Sequence, residues 1–154
     1  MLDRVKVADA LIIGSPVYYG AESASTRAFL ERLCFPYLKY AKNMRSLFPR
    51  RINTGMIYTM NASEERLKQM GFDHIFGMTK MILGMHFGAC ELLLSTDTLQ
   101  YSNYDEFEAG RFDKEAKYKR HAEVFPEDCQ RAFELGVRMA SGEIPEPEPI
   151  PGFE

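Results

Sequence analysis

Metal-binding patterns are missing from this sequence. Its three cysteines, Cys34, Cys90 and Cys129, stand far apart and form no CxxC pair. That argues against a disulfide framework and against a cysteine-only metal site. Each is read as a small buried apolar residue. The three histidines, His74, His86 and His121, show no HxxxH or HExxH spacing, so a zinc hydrolase is a poor reading. An excess of one charge is also missing. Nineteen Lys and Arg stand against 22 Asp and Glu, a net of −3. This gives no electrostatic case for nucleic acid or an anionic membrane. No apolar run approaches bilayer-spanning length. No long apolar core follows Met1-Leu2-Asp3-Arg4, so no secretory signal is read there and the cytoplasm is the expected compartment.

What is present is an ordinary globular composition, 45% apolar and 27% charged over 154 residues, enough for one domain or most of one. Residues 10–14 read as a buried strand stopped by Gly14-Ser15-Pro16. A helix is expected over 21–33, with Ala21, Ala24, Ala28 and Leu33 near one face. The connection 34–51 is rich in aromatics (Phe35, Tyr37, Tyr40, Phe48) and in bases (Lys39, Lys42, Arg45, Arg50, Arg51). The bases are read as a solvated face, and at this length the connection is expected to carry its own helical turn. A second strand spans 52–60. Asn61 or Ser63 can cap the helix that follows, and Glu64 and Glu65 suit its positive end. That helix runs towards Met85 with a bend near Gly71 or Gly77, and Met78, Met81 and Met85 recur along it as core residues.

A third strand covers 89–95, and a polar-aromatic loop follows over 97–107. Residues 114–120 suit a short solvated helix. The last helix starts at Pro126 and ends before Gly142, with an apolar stripe of Cys129, Ala132, Phe133, Gly136, Val137 and Ala140. Residues 143–154, with prolines at 145, 147, 149 and 151, read as an extended tail.

Strands alternating with helices predict parallel βαβ units. Crossovers advancing in one direction put their helices on one sheet face. Only the last helix is then left for the other face. The expected result is a bare edge and exposed apolar surface, and hence self-association as a homo-oligomer.

The three strand ends bring three loops to one edge, where open α/β sheets bind ligands. They offer aromatic faces, small polar groups and backbone N–H groups, a mixture suited to a planar heteroaromatic ligand. Ser15-Pro16-Val17-Tyr18-Tyr19-Gly20 resembles the loop after the third strand in the NAD(P)H-dependent FMN reductase and iron–sulfur flavoprotein group of the flavodoxin-like superfamily. Ile57-Tyr58-Thr59-Met60-Asn61-Ala62-Ser63 is similar to that group's next loop. Asp97-Thr98-Leu99-Gln100-Tyr101-Ser102-Asn103-Tyr104 resembles its fifth-strand loop, and Phe125-Pro126-Glu127-Asp128-Cys129 through Gly136 its closing helix.

The resemblance implies an α/β flavodoxin-like parallel sheet over 1–142, with its third to fifth strands present and helices on both faces. It also implies bound FMN. Ser15, Pro16, Val17, Tyr18, Tyr19 and Gly20 would lie along the isoalloxazine. Met60, Asn61 and Ala62 would meet its polar edge through backbone donors. Asp97, Thr98 and Tyr101 are further candidates. The implied activity is hydride transfer from NAD(P)H to flavin and then to a small-molecule acceptor or redox protein, with no catalytic side chain. The family's phosphate-binding loop, and the cysteine cluster of its iron–sulfur members, would precede Met1, so this chain is expected to be N-terminally incomplete. Three bland readings stand beside this one. Loop one can be an ordinary turn, Met60-Asn61-Ala62 a helix cap, and Tyr101 and Tyr104 packing residues. An electron carrier of the same fold, or a partial domain that binds no flavin alone, are the alternative functions.

Overall fold

Side-chain alternation along three strands decides this architecture. The computed structural model describes residues 2–40 and 46–142. The expected tail at 143–154, and Lys42 and Arg45 of the basic run, lie outside them. The strands are β1 (Ala10–Tyr18), β2 (Ala21–Glu22), β3 (Ile52–Thr59) and β4 (Gly88–Ser95). They form one sheet in the order β2-β1-β3-β4. β1, β3 and β4 are parallel, and β2 folds back antiparallel on the end of β1. The protein is therefore α/β with a four-stranded, mostly parallel sheet.

One face of the sheet carries Leu11 and Ile13 of β1, Ile52, Met56 and Tyr58 of β3, and Cys90 of β4. They pack against Leu30 and Leu33 of α2 (Ala24–Cys34) and Phe76, Leu83 and Phe87 of α4 (Phe72–Phe87). The opposite face is smaller. Ala10, Ile57 and Leu93 meet Ala132, Leu135 and Met139 of α6 (Phe125–Ala140). Successive strand residues point to opposite faces, so this division follows from register. Two crossover helices cover one side and the final helix alone covers the other, as the strand order predicts. Two further helices, α1 (Leu2–Val7) and α5 (Lys114–Glu123), flank this unit. The expected helix over 61–85 is split by Gly71, which takes a left-handed φ of 68° between α3 (Glu64–Met70) and α4. Gly77 lies inside α4 and bends nothing into a break.

Several local expectations are corrected. β1 does not stop at Gly14 but runs to Tyr18, because Gly14, Ser15 and Pro16 continue the ladder opposite Ile57, Tyr58 and Thr59. Pro16 is tolerated there because β2 pairs only with Val17 and Tyr18, so that side of β1 is unpaired at Pro16. Ala21 belongs to β2, and Ala24 and Ala28 are exposed. The buried face of α2 is Leu30, Leu33 and Cys34. Met78 is exposed, whereas Met81 and Met85 are half-buried.

The stripe on α6 is divided. Ala132 packs on the sheet, but Cys129, Phe133, Val137 and Ala140 face solvent. The helix buries Asp128, Leu135 and Met139 instead. Beside it, Ile12, Gly14, Pro16 and Tyr18 of β1 are exposed on the same sheet face. A Cβ placed on Gly14 would meet nothing within 4 Å.

Candidate functional site

Parallel register sets the three strand ends side by side. Pro16 of β1 pairs with Thr59 of β3, and Thr59 with Ser95 of β4. Everything that follows these residues therefore gathers at one edge.

The first strand end is a tight hairpin. Tyr19 and Gly20 both have positive φ, 52° and 85°, the combination a two-residue type I′ turn requires. Gly20 suits this backbone, and it is also the only residue type that fits: a Cβ would lie 2.5 Å from the Phe72 ring. Tyr19 is a different case. It holds a left-handed conformation at some cost, and its side chain is fully exposed. Pro16 and Tyr18 are exposed beside it, while Ser15 and Gly20 are buried. Val17, partly buried, packs on the larger core. Ser15 accepts from the N–H of Ser23 at 3.0 Å and so fixes the hairpin to the start of α2. Glu22 is buried, 3.4 Å from the Arg27 guanidinium and 3.5 Å from the Tyr58 hydroxyl. Burial pushes the Tyr58 phenol up to about 12, so it keeps its proton at neutral pH.

The second and third strand ends are laced together. The N–H of Met60 donates to Ser95 at 3.0 Å, that of Thr98 to Met60 at 2.9 Å, and that of Asp97 to Ala62 at 2.8 Å. The Asn61 amide donates to the Thr98 carbonyl at 3.0 Å. Ser63, not Asn61, caps α3 by accepting from the N–H of Arg66. Lys117 of α5 is buried and completes the lacing. Its ammonium pairs with Asp97 and donates to the Asn61 carbonyl at 2.9 Å.

The structure thus divides the sequence-derived candidates. Pro16, Tyr18 and Tyr19 offer open apolar and aromatic surface. Asn61 and Ala62 are half-buried, and among the described residues nothing accepts from their N–H groups. Met60 is turned into the core and its N–H is taken. Asp97 and Thr98 are engaged with the second loop. Tyr101 stacks on Phe107 at 4.2 Å and meets Tyr104 edge-on at 5.5 Å. Tyr104 is buried, its hydroxyl taking the Gln100 N–H at 3.0 Å.

Lys117 escaped the sequence reading, as did the buried group around Asp128. Asp128 accepts from Ser95 at 2.7 Å, Arg120 at 2.9 Å and Arg131 at 2.5 Å. Burial alone would raise its carboxyl, but these three hydrogen bonds outweigh it and hold the group below its ordinary value. Their signal was faint. Lys117 sits in a charged stretch that resembles any solvated helix, and Asp128 resembles an acidic residue placed for the dipole of α6.

Flavin, the group implied by the resemblance, fits this edge at its ring end. Flat apolar surface lies beside unspent backbone donors. The phosphate end finds less. The first turn of α3 carries Glu64 and Glu65, which oppose an anion, and at α2 Ser23 already takes the Thr26 N–H. No protein-family model matches the chain, and no curated protein gives a significant match. No described helix is long and apolar enough to cross a membrane, and no described group of three His, Cys, Asp or Glu residues is placed to hold a metal ion.

Proposed function

We propose that this chain binds the isoalloxazine ring of FMN at the carboxyl edge of its sheet, as part of a flavodoxin-like NAD(P)H-dependent oxidoreductase. The observation that carries this reading is that, of two neighbouring strand ends, one carries an exposed Tyr19 of positive φ and the other Asn61 and Ala62, whose N–H groups have no acceptor among the described residues. Strain of this kind gathers at ligand-binding sites. Pro16, Tyr18 and Tyr19 supply a surface for the ring faces to lie on. Asn61 and Ala62 supply donors for its polar edge, held in place by Asn61–Thr98 and Lys117–Asp97. The chemistry such a group supplies when bound is hydride acceptance from NAD(P)H and onward reduction of a small-molecule acceptor or redox protein. The side chains bind and orient, and none is needed to move a proton.

Self-association belongs to the same proposal. Ile12, Phe133 and Val137 form the apolar surface it would cover, and Phe133 is 67% exposed.

The test is a titration of the purified chain with FMN, followed by flavin absorbance and by NADH and NADPH oxidation. A perturbed flavin spectrum with nicotinamide oxidation supports the reading. A flavin spectrum unchanged by the protein overturns it.

A further inference from the structure

A cavity lies at the other end of the sheet from the strand-end loops. α2 and α4 finish there, at Cys34 and Phe87, just before the chain enters the approaches to β3 and β4. Between them is a cleft of about 600 Å³, well inside the range for small-molecule sites. None of the residues of the strand-end site lines it. Its walls are mostly apolar, with Leu30, Leu38, Ile82 and Leu83 among them, and Phe35 is its exposed ring. Phe35 is 71% exposed, a large ring left uncovered at the rim.

Two polar features give this cleft a direction. Among the described residues three charged side chains line it: Arg27, Glu31 and Arg32. Arg27 is committed to Glu31 at 2.9 Å and to Glu22 at 3.4 Å. Arg32 has no ion pair or hydrogen bond among the described residues. Among the described residues the cleft therefore holds one uncompensated cation. On its wall is also His86, which is buried and whose Nδ1 has no hydrogen-bond partner among the described residues. A buried polar atom without a partner is uncommon and calls for an explanation.

We propose that this cleft is a separate binding site for an amphipathic carboxylate, whose apolar body lies between α2 and α4 and whose carboxylate pairs with Arg32. Guanidinium is suited to this because its planar fork meets both carboxylate oxygens. A neutral apolar ligand would leave Arg32 unused. A dianion would set its second charge against Glu31. The chemistry is that of a medium-chain fatty acid or an arylalkyl acid.

The probes are decanoate and decan-1-ol, which share one chain and differ in charge. Binding is measured by calorimetry on the whole chain. Decanoate is expected to bind at one site, about tenfold or more tighter than decanol, the gain of one charge-assisted contact. Arg32→Gln, a change at an exposed position, should bring decanoate down to the level of decanol and leave decanol unchanged. Arg138→Gln, on the opposite sheet face and paired with Glu91, should change neither. Ile82→Phe, which narrows the cleft, should weaken both. Equal affinities for the two probes, undiminished decanoate binding by the Arg32 variant, or no binding of decanoate at about 1 mM would each overturn the proposal.

Discussion

Lys117 and Asp97 form an ion pair that joins α5 to the loop after β4, and the same ammonium holds the Asn61 carbonyl at 2.9 Å. The lysine side chain is only 9% exposed and the aspartate 40%. The two halves of the pair are thus unequal. Asp97→Ala leaves a buried ammonium with only the Asn61 carbonyl and the Phe112 ring 5.8 Å away, and should cost about 2–3 kcal/mol, less than a fully buried pair because Asp97 is part-exposed. Lys117→Met removes the buried charge and leaves an aspartate that water can reach, so it should cost less. Urea denaturation of the two variants checks the order.

Tyr19 should trade stability for binding. Its left-handed φ of 52° is a cost that glycine avoids. Tyr19→Gly should therefore raise stability by about 0.5–1 kcal/mol, after allowing for glycine's greater unfolded freedom. It should also weaken flavin binding by removing a ring face. At Gly20 the opposite holds: Gly20→Ala should destabilise by more than the roughly 1–2 kcal/mol of the backbone alone, because the new methyl meets Phe72. Thermal melts and flavin titrations of both variants test this.

The Asp128 group predicts an acid-side loss of stability. Its carboxyl is lowered in the folded protein from 3.8. A depressed folded value means that the unfolded chain takes up the proton first as pH falls. The stabilisation is thus complete above the unfolded value and is lost as pH falls through 3.8 towards the folded one. Asp128→Asn should cost about 3 kcal/mol at neutral pH, the scale of a broken buried ion pair, and should flatten this limb. Denaturation series at several pH values show whether it does.

The cysteines should react unequally. Cys129 is exposed, whereas Cys34 and Cys90 are buried. Burial pushes the Cys34 thiol up to about 11 and raises Cys90 as well. Near neutral pH an aromatic disulfide reagent should modify Cys129 quickly, Cys34, which lines the cleft between α2 and α4 with a raised thiol, more slowly, and Cys90 only on unfolding. Equal rates for all three would contradict the burial pattern.

Much of the fold was legible because strand and helix periods are strong signals. Leu11 to Ile13 and Leu92 to Leu94 are short apolar runs, and Met56 to Tyr58 supplies the apolar part of the strand between them. The order of α2, β3, α4 and β4 then followed. What was not legible depends on surroundings. Nothing local shows that Gly14 and Pro16 continue a ladder, since their partners lie more than forty residues away in β3. Phe133 and Val137 match the helical period as well as Leu135 does, yet only Leu135 meets the sheet. The resemblance put Met60, Asn61 and Ala62 together as backbone donors, and the structure separates Met60 from the other two. The consumption of Met60 by Ser95 was not legible, because a hydrogen bond between two strand ends leaves no trace in either segment.

The central claim is that the strand-end edge grips a flavin by its ring. Comparing riboflavin with FMN tests it most directly, because the two share the ring and differ in the phosphate. The account predicts that both bind this chain within about threefold of each other, since the contacts proposed for Pro16, Tyr18, Tyr19, Asn61 and Ala62 are to the ring and none is to the phosphate. It also predicts that Tyr19→Ala weakens the two alike. Failure of both to bind, or FMN binding far more tightly than riboflavin and unaffected by the Tyr19 change, would contradict it.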